Sequence, residues 1–230
     1  MMTAEELLNR LRTLANPDQA AGMAQFAAGG AHTLGISIPT LRKLAKEIGQ
    51  DHALAGELWA SGLHEARILA TMIDSPQQVS EAQMEAWVQD FDSWDGCDQC
   101  CLNLFRRTAL AHQKAVEWSG REAEFVKRAG FVLMATLAVH DKQAGDEVFI
   151  AWLPLIRRAA TDERNFVKKA VNWALRQIGK RNLTLNRIAI QTALDLQQLD
   201  SKSARWVAAD ALRELTSDKV QQRLGQKAKP

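Results

Sequence analysis

The stretch Thr3-Ala4-Glu5-Glu6-Leu7-Leu8-Asn9-Arg10-Leu11-Arg12-Thr13-Leu14 decides the fold class. Thr3-x-x-Glu6 fits a capping box, in which a hydroxyl and a carboxylate each accept from a backbone N–H that the first helical turn leaves without a partner. Behind it, Leu7, Leu11 and Leu14 recur at helical spacing, which puts them on one face. The same grammar returns along the chain. Ser80-x-x-Gln83 and Ser119-x-x-Glu122 fit the box as well. Asp51, Asn182 and Ser201 are candidate N-caps. Pro39 sits where a first-turn proline is tolerated, and Gly49 where a helix stops. Strand signals are scarce: there is no tyrosine, and alternating runs are few.

These signals predict fourteen helical spans: 3–15, 18–27, 39–48, 52–61, 63–74, 81–90, 94–108, 110–118, 121–139, 145–159, 163–179, 183–198, 201–214 and 217–224. Only the stretch from Gly29 to Ile38 reads as a real loop. Helices pair at intervals of about 35–45 residues, the period of helical solenoids. Short linkers favour antiparallel neighbours, and stacked pairs curve to make a concave face. No linker is rich in Pro, Gly or Ser, so residues 1–230 are expected to form one domain.

Composition narrows the function classes. At 47% apolar residues the 230-residue chain has ample material for a core. Its net charge of +2 makes bulk charge no argument for nucleic acid, so any basic surface must come from segregation. Arg157 to Arg187 is such a segment, holding nine arginines and lysines against only Asp162 and Glu163. Acids gather instead between Glu81 and Asp98. No apolar run approaches the ~20 residues of a membrane span. The acidic start Met1-Met2-Thr3-Ala4-Glu5-Glu6 lacks the basic opening of a signal peptide. The three cysteines, Cys97, Cys100 and Cys101, are odd in number and clustered. That argues against a disulfide framework and for packed thiols, since no second pair completes a zinc site. A cytoplasmic, nucleoid-associated location follows as the expectation. His64 and His140 read as isolated.

Three segments place chemically suggestive groups on helix faces. Trp94-Asp95-Gly96-Cys97-Asp98 sets an indole and a carboxylate one turn apart, with Cys101, Leu102 and Phe105 continuing the stripe inward. Phe125-Val126-Lys127-Arg128 puts an arginine into an apolar helix, where it either snorkels or is held for a purpose. Phe166-Val167-Lys168-Lys169-Ala170-Val171-Asn172-Trp173 adds a second indole beside cations, with Arg176 one turn on. Core packing is the ordinary fate of each tryptophan, and a helix-dipole partner that of Asp98.

Taken in order, several segments resemble the DNA alkylation repair family, the alkylpurine DNA glycosylases with HEAT-like repeats. They are Leu34-Gly35-Ile36-Ser37-Ile38-Pro39-Thr40-Leu41-Arg42-Lys43-Leu44-Ala45-Lys46, then Leu58-Trp59, then His64-Glu65-Ala66-Arg67-Ile68-Leu69-Ala70. Ser93-Trp94-Asp95-x-x-Asp98, Lys127-Arg128-Ala129 and Phe166-Val167-x-Lys169-Ala170-x-x-Trp173-x-Leu175-Arg176 complete the pattern. The resemblance implies an all-α, right-handed superhelical array of HEAT-like antiparallel helix pairs (an α-α superhelix). Its partner would be double-stranded DNA carrying N3- or N7-alkylated purines, bound by a monomer with no metal, no nucleotide cofactor and no membrane. Asp98 would be the catalytic carboxylate. Trp94 and Trp173 would face the lesion, Arg128 would serve the active site, and Lys168, Lys169 and Arg176 would contact DNA.

The chemistry is coherent from first principles. Alkylating a purine ring nitrogen makes the base cationic and a good leaving group. The sugar then becomes an oxocarbenium ion, which an ionised Asp98 would stabilise while orienting water. Indole faces favour a nearby cation by roughly 0.5–2 kcal/mol. The chain departs from the family before Gly35, where Met23 to His32 contains only Phe26 as an aromatic. A non-catalytic DNA-binding protein of the same family, or a protein-interaction scaffold, are the competing expectations.

Overall fold

A computed structural model describes residues 2–25 and 32–227. Phe26, the first residues of the expected loop at 29–31 and the last three residues lie outside the described residues. Among the described residues there are fourteen α-helices, one short 3-10 turn and no strand. The all-helical expectation is therefore met. They form two compact units, Met1–Leu110 and Ala111–Pro230.

The first unit holds α1 (Ala4–Thr13), α2 (Pro17–Gln25), α3 (Ile38–Ile48), α4 (His52–Ala60), α5 (His64–Ile73), α6 (Glu81–Gln89) and α7 (Trp94–Asn103). The capping box at Thr3 and Glu6 is formed, and Leu7 and Leu11 are fully buried behind it. Ser80 accepts from Gln83 N at 3.1 Å and Asp51 from Leu54 N at 3.0 Å. Gly49 ends α3 at φ 80°, a conformation that favours glycine. Helices α3, α5 and α7 lie side by side, with α4 and α1 packed behind.

A heavily bonded side chain of this unit is Glu65, which is fully buried on α5. Its carboxylate accepts from the backbone N–H groups of Leu34, Gly35 and Ile36 at 2.7 to 3.2 Å and from the Thr33 hydroxyl at 2.8 Å. The loop before α3 is thus wrapped around one anion. Gly35 makes the wrap possible: its φ is +73°, and a Cβ there would collide with the backbone of Asn16 and Ala20.

The second unit holds α8 (Ala111–Ser119), α9 (Glu124–His140), α10 (Asp146–Ala159), α11 (Asn165–Gly179), α12 (Leu183–Gln197), α13 (Lys202–Leu215) and α14 (Asp218–Lys227). It is two layers deep. Helices α9, α11 and α13 lie side by side, backed by α8, α10 and α12. A fixed offset ties neighbours in the first layer together. Arg128 to the Phe166 carbonyl, Asn172 to Asp210 and Arg176 to Glu214 each join residues 38 apart. That separation is the repeat, and it falls inside the interval read from the helix pattern. The first unit uses a shorter step: Thr33 to Glu65 and Asn103 to Thr71 span 32 residues, and Trp59 to Asp90 spans 31.

Two expectations about helix ends fail, for tertiary reasons. Ser119 does not cap α9. It is buried at the end of α8 and donates to the Val116 carbonyl at 2.8 Å, and α9 starts only at Glu124. The cause is close packing of α8 on α9. A Cβ at Gly130 would lie 2.9 Å from Ser119 Cα and from the Trp118 carbonyl carbon. The helix expected over 94–108 stops at Asn103. Phe105–Arg107 tightens into a 3-10 turn that leaves Leu104 and Phe105 fully buried. Burying a phenylalanine side chain is worth about 1.5–3 kcal/mol, enough to override a continuing helix.

Candidate nucleic-acid interface

In the first unit, α7 buries Cys97, Cys100 and Cys101 fully, with Leu104 just beyond its end. Trp94 and Asp98, one turn apart, are half-buried. Asp98 is therefore not sealed in the core. The stripe expected to run inward from Trp94 and Asp98 does so: Cys101 and Phe105 are fully buried, and Leu102 beside them is half-buried. Burial pushes the Cys100 thiol well above its usual range, with Cys97 adding to the shift. These sulfurs are packing groups rather than nucleophiles. Among the described residues, no group of three or more His, Cys, Asp or Glu side chains could hold a metal.

His64 is not isolated. Its Nε2 lies 2.9 Å from Asp95 Oδ2, and the ring is 5% exposed. Sequence reading missed this pair because its members stand 31 residues apart, on the neighbouring helices α5 and α7. Only knowledge of the repeat step would have brought them together. Trp94, Asp95 and His64 all line a cleft of about 510 Å³ with Ile36, Ile38 and Ile68.

In the second unit, Arg128 is 5% exposed, and one guanidinium N–H donates to the Phe166 carbonyl at 2.7 Å. The Phe125 and Phe166 rings meet beside it at 5.5 Å. Arg128 thus ties α9 to the first turn of the helix that carries Trp173. On α11 the residues Phe166, Lys169, Trp173 and Arg176 lie outside the buried stripe of Val167, Ala170, Val171, Ala174 and Leu175. Trp173 is half-buried and Lys169 exposed.

The basic run from Arg157 to Arg187 separates into two classes. Arg176 and Lys180 both reach Glu214 at 2.6 Å, holding that carboxylate below its usual range against the opposing effect of burial. Arg164 and Lys127 hold Asp162, whose pKa falls to about 2, mainly through its bonds with Arg164. Arg181 donates to the carbonyls of Ala138, Asp141 and Ala144 and covers the Phe149 ring at 4.2 Å. These cations build the repeat. Arg158, Lys169 and Arg187 are instead exposed.

Lys168 belongs to a feature the sequence did not flag. Its Nζ sits 5.1 Å from the ring of Trp206, which is 40% exposed on α13. An indole standing in water beside lysines is a surface suited to sugar and base contact. The signal was there in Arg205-Trp206-Val207, but nothing local told an exposed tryptophan from a core one.

Among the described residues, no helix is long and apolar enough to cross a membrane. No curated protein sequence matches the chain. A solved structure from a family described as new, related to the HEAT-like repeat DNA glycosylases and having affinity for branched DNA structures, superposes with TM-score 0.81. The match covers 97% of each chain at 17% identity, so it speaks for a HEAT-like repeat fold. A designed armadillo repeat protein in complex with a (KR)4 peptide aligns over 96% of this chain and 97% of its own, at 15% identity and a TM-score of only 0.36. The family model of the DNA alkylation repair enzyme matches residues 7–215, and the chain belongs to that family.

Proposed function

We propose that this protein hydrolyses the N-glycosidic bond of N3- and N7-alkylated purines in duplex DNA, acting as a monomer whose two units serve as one HEAT-like repeat domain. The observation that carries the reading is the family match across 7–215 together with a half-buried Asp98 beside Trp94 on α7. A buried, neutralised acid would be useless for this reaction, whereas a partly shielded one interacts more strongly with a developing sugar cation than it would in bulk water.

In this reading the alkylated base leaves without a strong general acid, because its ring already carries positive charge. Asp98 stabilises the oxocarbenium-like sugar and holds the attacking water. Trp94 and Trp173 present indole faces to the cationic lesion. Arg128, held rigidly by the Phe166 carbonyl, contributes its charge toward the strand. Lys168, Lys169 and Trp206 contact the backbone along α11 and α13. Arg176, tied to Glu214, orders α11 against α13 rather than reaching for phosphate. Asp98 supplies the chemistry, and no metal or nucleotide is required.

A second reading has a specific observation behind it. The structural neighbour is described as having affinity for branched DNA, and the cations at Arg176, Lys180 and Arg181 are spent on internal contacts. A non-catalytic binder of distorted DNA would have those properties. Incubating the protein with N-methylated duplex and separating free bases tests the choice. Free 7-methylguanine is the expected product. Its absence, alongside tighter binding of a four-way junction than of duplex, would replace excision by binding.

A further inference from the structure

The second unit carries a cavity that the reaction set out above leaves unused. Its volume of about 420 Å³ falls within the range of sites that bury small organic ligands. It opens where α8 and α10, both in the backing layer, reach their C-terminal ends. Val116, Leu155 and Ala159 give it a carbon wall. Its polar lining differs in what each group has left to offer. Asp162 is saturated: Arg164 donates to both of its oxygens, and Lys127, in the first turn of α9, donates to one of them at 3.2 Å. Ser119 and Thr161 donate their hydroxyl protons to the carbonyls of Val116 and Arg158, so each keeps oxygen lone pairs as acceptors. The Lys127 ammonium has committed one of its three N–H donors. Arg158 is exposed, and its guanidinium has no partner among the described residues.

We propose that this cavity binds a nucleoside monophosphate, with the phosphate on Arg158 and Lys127. Charge selects the anion. Two cations line the cavity against one carboxylate, and Arg164, outside the lining, already balances that carboxylate. A phosphate monoester presents up to two negative charges and three oxygens, so the arginine fork can take two oxygens while the lysine acts as a point charge. The rest of the lining suits what a phosphate ester carries. The carbon wall covers a sugar or base face, and the lone pairs of Ser119 and Thr161 accept from base N–H groups. The same chemistry is offered by a free nucleotide and by the phosphorylated 5′ end of a strand. The site is independent of the excision reading, because none of its residues is assigned a part in that reaction.

Calorimetric titration of the full chain with deoxyadenosine monophosphate, deoxyadenosine and inorganic phosphate tests the proposal. The monophosphate should bind saturably below about 1 mM, and each of the other two at least about tenfold more weakly, since each lacks half of the contacts. Arg158→Glu changes an exposed side chain without an internal partner, so the fold is retained. It should weaken monophosphate binding by at least about tenfold, with the melting temperature and base release from DNA those of wild type. A short thymidine strand with a 5′-phosphate, compared with its 5′-hydroxyl counterpart, separates the two sources. Tighter binding of the phosphorylated strand that Arg158→Glu abolishes assigns the site to strand ends, and monophosphate binding without that difference assigns it to the free nucleotide. The site is overturned if neither the monophosphate nor the 5′-phosphate gives saturable binding at about 1 mM, or if wild type and Arg158→Glu bind them equally.

Discussion

Replacing Glu65 by alanine should unfasten the first unit from inside. The carboxylate is fully buried and accepts from three consecutive backbone N–H groups and one hydroxyl. Removing it leaves the N–H groups of Leu34, Gly35 and Ile36 facing a void, at about 1–3 kcal/mol each before relaxation. Water entering the space recovers part of this, so the net loss should be about 3–5 kcal/mol. Glu65→Gln keeps the shape but loses the charge, and its amide N–H2 must oppose a donor. A loss of about 1–3 kcal/mol is expected there. Denaturant unfolding followed by fluorescence of the first unit's tryptophans, Trp59, Trp87 and Trp94, measures the global effect. Hydrogen exchange at the Leu34, Gly35 and Ile36 amides reads the local one. Since Ile36 and Ile38 line the cleft, loosening this loop should also disturb it. A loss under about 1 kcal/mol from Glu65→Ala, with the three amides still protected, would show that the loop is held by something else.

Gly130→Ala should destabilise the second unit by about 1–3 kcal/mol, because the added methyl has only the backbone of Trp118 and Ser119 to push against. A thermal melt checks it, and an unchanged midpoint would mean that α8 yields freely. Asp162 has a pKa lowered to about 2 from 3.8, so its bonds to Arg164 and Lys127 stabilise the fold above pH 4 and lose that contribution as pH falls from about 4 to 2. The free-energy gap between wild type and Asp162→Asn, about 1–2 kcal/mol near neutrality after solvent screening, should shrink steadily over that window. A gap that stays flat down to pH 2.5, in denaturant titrations at each pH, would deny the linkage. Lys168→Ala with Lys169→Ala should reduce the slope of log K against log salt for duplex DNA by about 2, as two lost phosphate contacts would. An unchanged slope would move the DNA contact off α11.

The helical architecture was legible because its signals are local. Thr3 with Glu6, Ser80, Asp51, Asn182 and Ser201 cap helices through bonds to residues three positions on, and such bonds show in a short window. Ser119 failed where a neighbouring helix overrode the local pattern. Charge was legible only as a count. The run from Arg157 to Arg187 reads as a basic surface, yet Arg176, Lys180 and Arg181 find partners 34 to 43 residues away. The same blindness hid His64 with Asp95 and the clamp on Glu65, each a contact across one repeat step. Trp94 and Asp98 were readable as a pair, because four residues on one helix fix a shared face.

The most direct measurement is the single-turnover rate of 7-methylguanine release from N7-methylated duplex DNA, compared between wild type and Asp98→Asn at equal DNA occupancy. The account predicts release by wild type and a rate about 100–1,000-fold lower for the variant, the size of effect expected when a group aimed at a charged transition state is neutralised. Equal rates in the two proteins would contradict it, by taking the carboxylate of Asp98 out of the reaction.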